Sequence, residues 1–135
     1  MEGRQTGNIS CLIDTDIVID FLRRREYARK LLERWAGEGL LAISTITHLE
    51  IYHGMKAGEE AGTNAFLDGL TTVSVDVTIA RRAGKILGEA RAKGITTGMA
   101  DSIIAATALQ LGAPLLTNNV EHYLFPGIKV MKGAL

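Results

Sequence analysis

Three carboxylates are spaced as a cooperating set would be. Asp14 closes the apolar run Ile9-Ser10-Cys11-Leu12-Ile13. Glu50 lies one to two helical turns beyond Leu40-Leu41-Ala42-Ile43, and Asp101 falls in the first turn of the helix leading into Leu115-Leu116-Thr117. Acids brought to one place repel one another. A divalent ion that prefers oxygen ligands is the simplest neutraliser, and magnesium or manganese fits that preference. Each acid also has a plainer explanation. Asp14 or Thr15 could cap the first helix. Thr47-His48-Leu49-Glu50 fits a capping box, in which Glu50 reaches back to a free amide. Asp101 could complement a helix dipole after Gly98, and Asn118 or Asn119 could cap the last short helix. The conjunction of all of them gives weight to the chemical reading.

The elements that must position these residues alternate between short apolar runs and amphipathic stretches. Strands are expected near Ile9–Asp14, Leu40–Ser44, Val73–Val75, Pro114–Thr117 and Ile128–Met131. Helices are expected near Asp16–Arg24, Glu26–Gly37, Thr47–Lys56, Glu60–Leu70, Val77–Lys93 and Met99–Leu111, with a short turn at Val120–Leu124. This alternation predicts an α/β domain of three layers around a central, mainly parallel, five-stranded sheet. Ligands of open α/β sheets bind beyond the carboxyl ends of the strands. A helix that follows a strand starts at that edge, and so does a helix that returns to feed the next parallel strand. Asp14, Glu50, Asp101 and Asn119 are therefore expected on one rim.

Composition narrows the class. The 135 residues allow one domain, read as 9–135 behind a flexible lead-in at 1–8. A hydrophobic content of 47% is ordinary for a folded chain. No apolar run approaches a membrane span, and the amino terminus lacks the apolar core of a secretory signal. The single cysteine, Cys11, lies in a predicted strand and reads as a small core residue, so a reducing cytoplasm is the expected location. Zero net charge argues against binding nucleic acid by bulk charge. The cations are clustered, however. Six bases face two acids between Leu22 and Trp35, and five face one between Arg81 and Lys93. Beside an acidic metal site, such flanks suit a phosphodiester, which needs cations around an otherwise repulsive centre.

Leu12-Ile13-Asp14-Thr15-Asp16-Ile17-Val18 alone is ambiguous. It matches the haloacid dehalogenase phosphatases, in which the first aspartate is a nucleophile and the second a general acid. Those enzymes need a downstream lysine and an acidic pair after a later strand, where this chain has Thr117-Asn118-Asn119. A phosphoacceptor receiver domain fails in a similar way, because Val130-Met131-Lys132 is the wrong pattern. The whole set resembles the PIN-domain family instead, and in particular the VapC-type toxin ribonucleases. Asp14-Thr15-Asp16 resembles the opening motif of that family. Ser44-Thr45-Ile46-Thr47-His48-Leu49-Glu50 through Gly54 resembles its second block, and Asp101-Ser102-Ile103-Ile104-Ala105-Ala106 its third. Thr117-Asn118-Asn119-Val120-Glu121-His122-Tyr123 resembles its fourth.

That resemblance implies a divalent-metal-dependent endoribonuclease, the toxin of a type II toxin–antitoxin pair. It implies Asp14 and Asp101 as metal ligands, and Glu50 as a ligand or the residue that positions the attacking water. Asn119 would supply a neutral oxygen or hold a bound water, and Thr15 and Thr117 would orient the carboxylates. Many members carry an acid at the position of Asn119. The amide here makes a catalytically weak or silent scaffold, binding protein or RNA, the alternative reading. Asp16 either completes the site or caps the helix, and the cap is the favoured reading. An RNA substrate, an antitoxin partner and a homodimer are implied too. Arg23, Arg24, Arg25, the apolar faces around Trp35 and the Thr47–Lys56 helix are the expected docking surfaces, while Trp35 and Leu31-Leu32 themselves read as core or partner contact rather than a base-stacking platform. His48 and His53 are five apart, which is not a zinc-helix spacing, and both read as surface or partner-facing.

Overall fold

The computed structural model describes residues 7–133, so most of the expected lead-in, residues 1–6, lies outside the described residues. The elements follow in the order β1 Ile9–Ile13, α1 Thr15–Leu22, α2 Glu26–Ala36, β2 Leu40–Ser44, α3 Thr45–Gly54 and α4 Glu60–Asp68. They continue as β3 Thr71–Val73, α5 Val77–Ala92, α6 Met99–Leu111, β4 Leu115–Thr117, a 3-10 turn at Val120–Tyr123, and β5 Val130–Lys132. The strands form one sheet in the order β3-β2-β1-β4-β5, and every neighbouring pair is parallel. The expected α/β architecture is the one observed.

The central strands are apolar almost without a break because both of their faces are covered. Leu12, Ala42 and Leu115 point into a core shared with Ile79, Ile86 and Ile104 of α5 and α6. Their neighbours Cys11, Ile13, Ile43 and Leu116 point the other way, against Ile17, Val18, Leu32, Ile51 and Leu67. This period-two alternation yields three layers: α5 and α6, the sheet, and the helices α1 to α4. Trp35 belongs to the second core and is only 8% exposed, with the Arg34 guanidinium 5.7 Å from its ring centre. Trp35 itself is thus core, one of the two readings its sequence allowed, and does not serve as a docking surface.

Several boundaries differ from expectation by one or two residues, and two of them have a visible cause. α3 starts two residues early, because the Ser44 side chain accepts the Ile46 N–H at 3.1 Å and acts as its cap. Thr47 is consequently inside the helix and fully buried, and the capping-box reading of Thr47 and Glu50 does not hold. β3 runs two residues earlier than expected, through Thr71 and Thr72. Val75 has left the ladder, and its N–H donates to the Thr45 hydroxyl at 3.2 Å. α6 ends on Gly112 at φ +62°, a left-handed conformation that suits glycine. Arg24 adopts the same region at φ +62° between α1 and α2, where a side chain is strained.

Candidate active site at the carboxyl edge of the sheet

From β1 the chain moves outward to β2 and β3 on one side, then crosses to β4 and β5 on the other. The order therefore reverses between β1 and β4, where the crevice of an open sheet forms. Asp14 sits at that reversal. It caps α1, its Oδ1 accepting the Thr15 N–H at 2.8 Å. Its Oδ2 accepts the hydroxyl proton of Thr117, at the end of β4, at 2.7 Å. Only 5% of Asp14 is exposed. Burial, and then the charge of Asp16, push its carboxyl up to about 6, against the opposing hydrogen bonds of Thr117, Thr15 and Tyr123.

Asp16 faces the same rim, which corrects its reading as the helix cap. Its Oδ2 accepts the Asn118 backbone N–H at 2.9 Å and the Asn119 side-chain amide at 3.1 Å. Its Oδ1 is buried and has no hydrogen-bond partner among the described residues. Burial raises its carboxyl above the usual range as well. Asn119 precedes the 3-10 turn, but its side chain makes no capping bond; it is turned toward Asp16 as a donor. The neighbouring Asn118 amide donates to the Tyr27 hydroxyl at 2.6 Å, and that hydroxyl donates in turn to Asp20. This chain of bonds ties the loop after β4 to α1 and α2.

Glu50 joins the rim through hydroxyl groups. The Thr15 hydroxyl donates to Glu50 Oε1 at 2.6 Å and lies 3.0 Å from the Thr47 hydroxyl. The one proton of Thr15 is committed to Glu50, so Thr47 donates to Thr15. One carboxylate oxygen is thus fixed, while Oε2 is left for another partner.

Asp101 is the third residue of α6, and its carboxylate is used sideways rather than on its own helix. Its Oδ1 accepts the Tyr123 hydroxyl at 3.1 Å, and its Oδ2 lies 3.3 Å from His122 Nδ1. Tyr123 is 1% exposed. Burial first, then the charges of Asp14 and Asp101, raise its phenol, so that it stays a donor between the two acids. The sequence reading gave Tyr123, Thr47 and Asn118 no such tasks. For Thr47 a signal existed: its i,i+3 spacing from Glu50 puts both on one helix face. Nothing in the spacing marks the Tyr123 hydroxyl.

The fit of a cation can be judged from the donors. Among the described residues, no three Asp, Glu, His or Cys side chains close around a common point as they stand. Asp14 and Asp101 are engaged by hydroxyl and imidazole donors instead. The chemistry of the set nonetheless suits a hard divalent ion, since the donors are carboxylate and amide oxygens. The orphaned Asp16 Oδ1 and the raised Asp14 carboxyl are both features that a nearby cation would relieve.

Comparison with known proteins agrees in sequence and in shape. A PIN domain family profile matches residues 11–126. Ribonuclease VapC19 of Mycobacterium tuberculosis is 34% identical over 120 residues, which span 87% of this chain and 96% of that protein. A toxin–antitoxin complex from Klebsiella pneumoniae superposes with a TM-score of 0.79 at 31% identity, over 93% of this chain and 98% of the other. A DNA-bound VapBC complex from Salmonella typhimurium gives 0.83 at 26% identity, over 93% and 99%.

Proposed function

The chain belongs to the PIN domain family, and from that membership we propose a divalent-metal-dependent endoribonuclease, the toxin of a type II toxin–antitoxin pair. The observation that carries the reading is that the buried Tyr123 joins Asp14 and Asp101 at the β1–β4 reversal, with the Thr117 hydroxyl on Asp14 and the unpartnered Asp16 Oδ1 on the same rim. The ribonuclease relative at 34% identity supports the same reaction class. Asp14 and Asp101 would hold magnesium or manganese, with Glu50 completing the set directly or through water. A bound ion of this kind lowers the pKa of a water and offsets the charge on a phosphate.

The other steps belong to side chains. Thr15 holds Glu50 Oε1, so Oε2 is the atom that orients the attacking water and takes its proton. Thr117 and Tyr123 hold Asp14 and Asp101 from behind and fix which carboxylate lone pairs face the substrate. His122, half-exposed beside Asp101, is placed to donate to a phosphate oxygen or to the leaving oxygen. Asp16 supplies the fourth acid, and Asn119 fixes its orientation. This is why an amide at position 119 does not favour the silent-scaffold alternative.

An antitoxin would restrain such an enzyme. The exposed apolar residues Leu49 and Tyr52 of α3 and the arginines Arg23 to Arg25 are the surfaces offered for it. A homodimer, with RNA crossing a shared groove, belongs to the same proposal, as does a cytoplasmic location. No helix among the described residues is long and apolar enough to cross a membrane.

Calorimetric titration with manganese, paired with cleavage of a structured RNA pool, tests the core of the reading. Binding and cleavage should both be present in the wild type and lost in Asp14→Asn combined with Asp101→Asn. Metal binding that survives both substitutions, or cleavage equal in both preparations, would reject the assignment.

A further inference from the structure

The basic segment between Arg81 and Lys93 forms one wall of a cleft of about 620 Å³ that opens onto the acidic rim. That volume lies within the roughly 300–1,000 Å³ of small-ligand sites. Arg81, Arg82 and Lys85 project from α5 and Lys93 caps its end, all exposed, and among the described residues none of them is in an ion pair. Glu89, Glu121, Thr96 and Thr97 also line the cleft, which carries in addition a group of apolar side chains. Ile95 is 54% exposed and Leu124 is 77% exposed, with the half-buried Phe125 beside them. Asp101 and His122 close the end that meets the site described above. One cleft thus combines unpaired cations, uncovered apolar and aromatic surface, and direct continuity with the reacting centre. A base suits the apolar side, a backbone phosphate suits the cations, and the acids at the end exclude a second phosphate unless a metal ion is present.

We propose that this cleft binds the nucleotide next to the scissile phosphate, with Arg82 and Lys85 on its phosphate and Ile95, Leu124 and Phe125 against its base. The assignment rests on the nuclease reading and names the residues by which that site grips its strand. An acidic segment of a partner protein would satisfy the cations but leave the apolar side uncovered, so the nucleotide is the better match.

Binding is measured in an Asp14→Asn background, to prevent cleavage, with a short mixed-sequence single-stranded oligoribonucleotide as the probe. Arg82→Ala with Lys85→Ala should weaken binding about tenfold or more and lower the slope of log Kd against log salt by about 1.4, the value for two lost phosphate contacts on a single strand. An abasic residue walked along the oligonucleotide should weaken binding at one position, and Leu124→Ser with Ile95→Ser should erase that penalty. All four side chains are solvent-exposed, and circular dichroism checks that the variants are folded. An unchanged salt slope, or an abasic penalty that persists in the serine variant, overturns the proposal. So does a loss confined to binding of an acidic peptide. Absence of metal-dependent cleavage by the wild type would instead count against the nuclease reading, so the two failures are distinguishable.

Discussion

Replacing Asp14 by asparagine should stabilise the metal-free protein while abolishing its chemistry. The Asp14 carboxyl stands at about 6 in the fold, against an ordinary value of 3.8. A gap of about two pKa units corresponds to about 3 kcal/mol. The folded state holds this proton more tightly than the unfolded chain does. The associated stability is therefore complete below pH 3.8 and is lost as pH rises through about 6. Asp16, raised in the same direction, adds to the loss. The asparagine variant has no such titration at position 14. Its amide oxygen can keep the Thr15 N–H, and its NH₂ can donate to the Thr117 hydroxyl, so most of the local bonding survives. Allowing for imperfect replacement, the variant should exceed the wild type by about 1–2 kcal/mol at pH 7.5 in chelator. For a domain of this size that is a rise in Tm of several degrees. Denaturant melts between pH 4 and 8 provide the assay, and the gap between the two proteins should open between pH 4 and 6.5. Saturating manganese should reverse the order, since only the wild type gains from the ion. A wild type that grows more stable in parallel with Asp14→Asn across this window would refute the claim that Asp14 is held against its charge.

Asn119→Asp should place a carboxylate against Asp16, lowering Tm in chelator and tightening manganese binding by calorimetry; a lower Tm with unchanged metal affinity would reduce Asn119 to a structural role. Thr15→Val removes the hydroxyl that fixes Glu50 and should slow RNA cleavage about 10- to 100-fold, with RNA affinity kept and Thr15→Ser restoring the rate. Arg24→Gly relieves a left-handed penalty of about 1–2 kcal/mol, set against about 0.5–1 kcal/mol of added backbone freedom. A net gain of up to about 1.5 kcal/mol is expected in urea melts, and a loss would mean that the Arg24 side chain makes a compensating contact.

The parallel sheet was legible because its strands are short, β-branched and apolar on both faces, as in Leu12-Ile13 and Ala42-Ile43. The rim was legible because a parallel sheet leaves few places where Asp14, Glu50 and Asp101 can go. Local capping was harder to read. Ser44 and Thr47 both satisfy the chemistry of a helix start, and the choice fell to Ser44 because the buried Thr47 hydroxyl is used by Thr15. Asp16 was misjudged for a similar reason: Asp14 already caps α1, which frees Asp16 for Asn118 and Asn119 on a segment a hundred residues away in sequence. Trp35 could not be placed from its neighbours alone, since a helix with Arg34 beside it reads equally well as surface. Long-range hydrogen bonds such as Tyr123 to Asp101 leave no periodic trace at all.

The threonine bridge from Thr117 to Asp14 has a consequence for the order of events during synthesis. β1 is made first, yet its inner neighbour β4 and the tyrosine behind the acids come from a segment about a hundred residues later. While residues beyond Leu111 are still inside the ribosome, Asp14 has neither Thr117 nor Tyr123 to hold it, and the crevice between β1 and β4 does not exist. Whatever chemistry the rim performs is therefore assembled only after β4 and Tyr123 have left the ribosome. Until that segment emerges, the growing polypeptide carries the three acids without the geometry that joins them.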